Sequence, residues 1–147
     1  MTYYTNLPDV INTINTKLTA LQASEMTRQQ AFSLLAVMKD RIFVQGKDSN
    51  GSQIGTYTPA YVRYARKKAN RGTDNKVIIS LTRQLENGLH PEALETENGY
   101  AIMTRSSEDY DKARWCEETY KKPIFAPTAE ERALCQQIAE DYIAKHL

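Results

Sequence analysis

Apolar residues recur every three to four positions near both ends of this chain, a period that commits those ends to helix. Val10, Ile11, Ile14, Leu18 and Leu21 make the first run. After a polar break over 23–27 the pattern resumes through Phe32, Leu35, Met38, Ile42 and Phe43, which predicts two helices, or one long bent helix, ending near Val44. Asn6, Leu7 and Pro8 supply a cap, a staple residue and a proline at its start, and Gly46 is placed to stop it. Towards the other end, Thr128-Ala129-Glu130-Glu131 is a capping box. Ala133, Leu134, Ile138, Tyr142 and Ile143 then line one stripe of a last helix. The helix before it opens at Ser107 with Glu108 and Asp109 in its first turn. Tyr110, Ala113, Trp115 and Tyr120 are its apolar and aromatic members, and Lys121 and Lys122 complement its C-terminal end.

The middle of the chain breaks that period. Residues 46–57, GKDSNGSQIGTY, hold three glycines and an Asn50-Gly51 pair, the chemistry of a tight turn. Thr58 and Pro59 cap a short basic helix that runs to about Asn70. Val77 to Ser80 is a short apolar piece, and Leu81, Leu85 and Leu89 share a helical face before Pro91. ALETENGYAIM, with Asn98-Gly99 between alternating segments, predicts a β-hairpin. The fold class expected is α+β and mostly helical. Its parts are an N-terminal helix or helix pair, a long glycine-containing loop, a short basic helix, a small antiparallel hairpin and two C-terminal helices. At 147 residues this is one domain, 1–147, with 46–57 as a protruding loop.

No apolar run reaches the roughly 20 residues of a membrane helix, and MTYYTNLPDV has neither the basic nor the apolar region of a signal peptide. Assembly in a cytoplasm is the expectation, where Cys116 and Cys135 remain thiols that pack. A zinc site joining them to His90 and His146 would lack the close ligand pairs of structural zinc. Against a calcium loop with Gly51 at position six, Asp48 and Asn50 fall at three and five. Gly46 and Tyr57 then occupy positions one and twelve, where the strongest ligands belong, so a turn is favoured over a metal. His90 precedes a proline and His146 is penultimate, poor places for a held general base. GKDSNGSQIG lacks the ending of a phosphate-binding loop. The expectation is therefore a protein that is not an enzyme and takes no cofactor or metal.

The net charge of +1 conceals a polarity. Residues 61–85 carry seven basic side chains and one acidic, whereas 86–147 carry seven basic and thirteen acidic. Such a chain presents a nucleic-acid-facing patch or complementary surfaces between copies. In YVRYARKKANRGTDNK, Arg63, Arg66, Lys67, Lys68 and Arg71 form the candidate patch, for DNA or for an acidic neighbour. Tyr61, Val62, Ala65 and Ala69 are its candidate core face. No DNA-reading motif accompanies the charges, so any nucleic-acid binding through 61–76 would be sequence-independent.

From about Met38 to Phe125 the chain resembles the small virion morphogenesis proteins of tailed bacteriophages, which join head to tail or complete the tail. The likeness lies in Arg41-Ile42-Phe43, Gly46, Asp48-Ser49-Asn50-Gly51, Ile54-Gly55 and Tyr57. It continues through the basic stretch, Leu81-Thr82-Arg83-Gln84-Leu85, the hairpin, Tyr120 and Pro123-Ile124-Phe125, with Thr128 capping a helix. Arg83 stands where that family usually carries glycine. The resemblance implies a structural protein of the neck or tail-completion region, a ring of identical copies that catalyses nothing. Its partners would be portal, adaptor or tail proteins, with packaged DNA touched through charge alone and no membrane. Gly46, Asp48, Asn50, Gly51, Ile54, Gly55 and Tyr57 would form an interface arm, with Ile54 and Tyr57 as anchors in a neighbour.

Overall fold

The computed structural model describes residues 7–20, 23–71, 74–79, 83–94 and 99–146. The fold is α+β and mostly helical, with a two-stranded antiparallel sheet. Helix α1 spans Leu7–Ala20 and α2 spans Ala23–Lys39, so the N-terminal region is a helix pair. Ala31, Leu35 and Met38 carry the buried stripe of α2, and Phe32, expected in that stripe, is exposed. A π-helical turn, Asp40–Val44, prolongs α2 and buries Arg41, Ile42 and Phe43 in succession. The extra residue in a wider turn rotates the following side chains relative to an α-helix. Three neighbours can thereby reach the interior.

Helix α3 begins at Pro59 behind Thr58, whose hydroxyl accepts from the Tyr61 N–H at 3.3 Å, and widens into a second π-helical turn over Val62–Arg66. A short α4, Gln84–Gly88, buries Leu85, and Leu89 follows it into the core. Strands β1, His90–Ala93, and β2, Tyr100–Met103, pair with His90 opposite Met103 and Pro91 opposite Ile102. The first strand thus starts at His90 and includes Pro91, earlier than the hairpin pattern suggested. In a two-stranded ribbon every strand is an edge, where proline's missing N–H leaves no gap in the ladder. The expected turn at 95–98 and Leu81 lie outside the described residues.

Helix α5, Ser107–Tyr120, is capped by Ser106, one residue ahead of the expected start, with its hydroxyl accepting from Asp109 N at 3.2 Å. Ala113, Cys116 and Tyr120 pack towards the core, while Tyr110 and Trp115, expected among the inward members, face out. Helix α6, Ala129–His146, lies along α2, where Gln30 Nε2 donates to the Cys135 carbonyl at 2.7 Å. Leu35, Met38, Ile42, Phe43, Ile54, Val77, Leu85, Leu89 and Ile124 form the core, so segments from across the chain meet at the end of α2.

Candidate interaction surfaces

Residues 46–57 are fastened to the body, contrary to the expected protruding arm. The Gly46 carbonyl accepts from Ile54 N at 2.9 Å, and Lys47 pairs with Gln53 as an antiparallel bridge. Asp48 is 2% exposed, and its Oδ1 accepts from the N–H groups of Asn50 and Ser52, both at 2.9 Å. Those bonds are how an aspartate shapes a turn, and they give the buried carboxylate a structural task. Ser49 ties the turn to the segment before α6, its N–H donating to the Pro123 carbonyl at 2.8 Å and its hydroxyl to that of Ala126 at 2.6 Å. Further along, Val77 N donates to the Gly55 carbonyl at 3.1 Å and Tyr57 N to that of Asn75 at 2.6 Å.

Ile54, expected to anchor in a neighbour, is 2% exposed and belongs to this chain's own core. Tyr57 is also engaged at home. Its hydroxyl accepts from Ile79 N at 3.2 Å, and its ring centroid lies 4.8 Å from that of Tyr61. What 46–57 leaves at the surface is the turn from Asn50 to Gln53. A bonded hairpin-like ribbon and a projecting arm share the same glycine and asparagine letters, which is why sequence did not separate them.

The basic helix divides differently from the expected pattern. Arg63, Lys67 and Lys68 are exposed, with Tyr64 among them, and Arg71 is half-buried. Arg66 is 1% exposed, its Nη2 donating to the Arg71 carbonyl at 3.0 Å and its guanidinium lying 4.8 Å from the Tyr57 ring centroid. Arg66 follows Val62 by four residues, so both point inward from the same face of α3. A planar, weakly hydrated guanidinium can be buried on an aromatic ring where an ammonium resists it. The candidate patch therefore keeps three outward cations.

The acidic end is also partly consumed within the chain. Glu131 and Asp109 are buried. Glu117 Oε1 accepts from Ile124 N and Phe125 N at 2.9 and 3.0 Å. Glu108 pairs with Lys112 at 3.0 Å and Glu118 with Arg114 at 3.3 Å, each four residues apart on α5. The polarity counted along the sequence is thus weaker on the folded surface.

Glu131 meets Arg41, a partnership that no local sequence signal marks. Arg41 Nε donates to Glu131 Oε1 at 2.6 Å and Nη2 to Oε2 at 3.4 Å, and the guanidinium also reaches the carbonyls of Lys47, Ile124 and Ala126 at 3.0–3.2 Å. The predicted capping box is present as well: Thr128 N donates to Glu131 Oε2 at 2.9 Å and Glu131 N to Thr128 Oγ1 at 3.1 Å.

Two apolar features are left over. Leu7, Val10, Ile11 and Ile14 of α1 are 40–57% exposed, and every side chain from Leu7 to Lys17 is outward. On the body, a groove of about 590 Å³ runs between the 56–61 segment and α5, floored by Tyr57, Tyr61, Leu85, Cys116 and Tyr120. Trp115, 59% exposed, stands on its wall, and Arg83 and Lys112 on its rim. Burial raises the Tyr57 hydroxyl against the opposing pull of Arg66, and raises that of Tyr120 to about 12, so both stay protonated at neutral pH. Burial likewise raises the Cys116 thiol, which keeps it a weak nucleophile.

Arg83, at the position where the resembled family carries glycine, has φ +60°, the left-handed backbone that glycine adopts without strain. Among the described residues, no group of three or more histidine, cysteine or acidic side chains is placed to hold a metal ion, and no helix is long and apolar enough to cross a membrane. Comparison with known protein families, with curated proteins and with solved structures finds no match.

Proposed function

We propose that this chain is a structural virion protein that forms a homo-oligomeric ring in the head-tail connector, neck or tail-completion region of a tailed phage, assembled in the host cytoplasm and without catalytic activity. The observation that carries assembly is surface. The chain exposes 10090 Å² at 16.8 kDa, whereas a compact monomer of that mass exposes about 7,600 Å². The excess of about 2,400 Å² is within the range that subunit interfaces cover. It includes an apolar helix face and an aromatic groove of the kind monomers seldom leave open. The virion setting rests on the pattern running from Arg41-Ile42-Phe43 to Thr128, to which the left-handed Arg83 adds a point of agreement.

Labelling the protein in imaged particles is the test, together with particles made without it. The expected outcome is density at the head-tail junction or tail end, and unjoined heads and tails when the protein is missing. Complete, infectious particles lacking the protein would refute the reading.

A second reading is favoured by Arg63, Tyr64, Lys67 and Lys68, which together expose three cations and an aromatic ring on α3. Such a face suits sequence-independent binding of nucleic acid. Three phosphate contacts predict a slope of about −2.7 in log affinity against log salt for duplex DNA. Tight binding by a monomer with that slope would favour this reading over the ring. A flat salt response, or no retention of DNA, would exclude it.

A further inference from the structure

We propose that the apolar stripe of α1 from one copy seats in the aromatic groove of the next, making α1 the element that links subunits; this rests on the ring reading and names its contact. Leu7, Val10, Ile11 and Ile14 stand at i, i+3, i+4 and i+7, the spacing by which an amphipathic helix anchors in an apolar groove. The stripe is about 11 Å long. Its anchors are the right chemistry for Tyr57, Tyr61, Leu85 and Trp115, which offer apolar faces around an opening of about 590 Å³.

Three observations select a second copy as the occupant. Both halves of the contact are on the same chain and unused within it, since α1 stands with its side chains outward. Asp9, in the first turn of α1, supplies an acid at the stripe, and Arg83 and Lys112 supply cations at the groove rim. Surface area agrees too. In a ring each member gives one helix and receives one, losing the area of one whole interface, about 1,200–2,000 Å². That is within the excess over a compact monomer. Giving one surface and receiving on another is also the heterologous contact that closes rings, which a self-complementary patch is not.

The groove carries its own reporters, because Trp115 is the single tryptophan and Cys116 one of two cysteines. In the full-length Ile14→Cys, Cys135→Ser protein, a short bis-maleimide is expected to join the introduced thiol to Cys116 of another molecule, giving a ladder of dimers and larger species on denaturing gels. In the otherwise unaltered chain, Trp115 emission should shift to the blue as concentration rises and the sedimenting mass increases. Ile11→Asp with Ile14→Asp should weaken self-association at least about 100-fold and abolish the shift, with circular dichroism unchanged because these side chains touch no core. Trp115→Ala, on the receiving side, should weaken association in the same direction.

Outcomes against the proposal are separable from failure of the ring reading. If the Asp pair leaves the oligomer intact, copies join elsewhere and the docking is wrong while the ring stands. A crosslink within single molecules would put α1 in its own groove and overturn the proposal. A native chain that remains monomeric, forms no ladder and is missing from the head-tail junction of particles overturns both.

Discussion

Arg41→Ala is expected to destabilise the protein by about 3–5 kcal/mol, the penalty for stranding one member of a buried ion pair. In a chain of this length that lowers the thermal midpoint by about 10 °C or more, which calorimetry or circular dichroism would read directly. The magnitude follows from what would be left behind. Glu131 would keep its bond from Thr128 N but lose the guanidinium, and the carbonyls of Lys47, Ile124 and Ala126 would lose a shared donor. Arg41→Lys should recover only part of the loss, since an ammonium cannot present a planar fork to a carboxylate and three carbonyls together. Arg41→Met combined with Glu131→Gln should be milder than Arg41→Ala, because no charge is then stranded. A loss under about 1 kcal/mol for Arg41→Ala, the range of surface pairs, would mean that the pair is wet and the account above wrong.

Gly46→Ala should cost about 3 kcal/mol or more, from two causes that a second variant separates. Gly46 has φ +66°, where a side chain costs roughly 1–2 kcal/mol. A Cβ there would also stand 2.3 Å from the Val77 carbonyl oxygen, which is backbone and cannot swing aside. Overpacking of that kind adds typically about 1–3 kcal/mol. Gly51, at φ +78°, has nothing within 4 Å of its would-be Cβ. Gly51→Ala should therefore show the backbone cost alone, measurable as the smaller shift in urea midpoint. Equal losses for the two variants would show that crowding at Val77 is relieved by local movement.

What was legible in the sequence was local. Thr58 and Thr128 were readable as caps because a cap is decided by side chains within three residues of a helix start. The mostly helical α+β class was readable from periodicity, which needs only one element at a time. What escaped depended on partners distant in sequence. Arg41 and Glu131 are ninety positions apart, and nothing near either residue announces the other. Arg66 looked like a solvated charge because its burial depends on Tyr57 and the Arg71 carbonyl. Periodicity also marks a helix face as apolar without saying what covers it. The stripe of α1 reads like that of α2, yet α2 is buried by α6 and the strands while α1 is outward.

The reach of Arg41 has a consequence for synthesis. When residues 40–47 leave the ribosome, this guanidinium has none of its distant acceptors, and Ile124, Ala126 and Glu131 must emerge before it can be enclosed. Closure across more than eighty residues is entropically slow compared with forming a local turn. The core at the end of α2 thus shuts late, and a nascent chain carries its hydrated arginine as a latch that holds the interior open until the last helix is available.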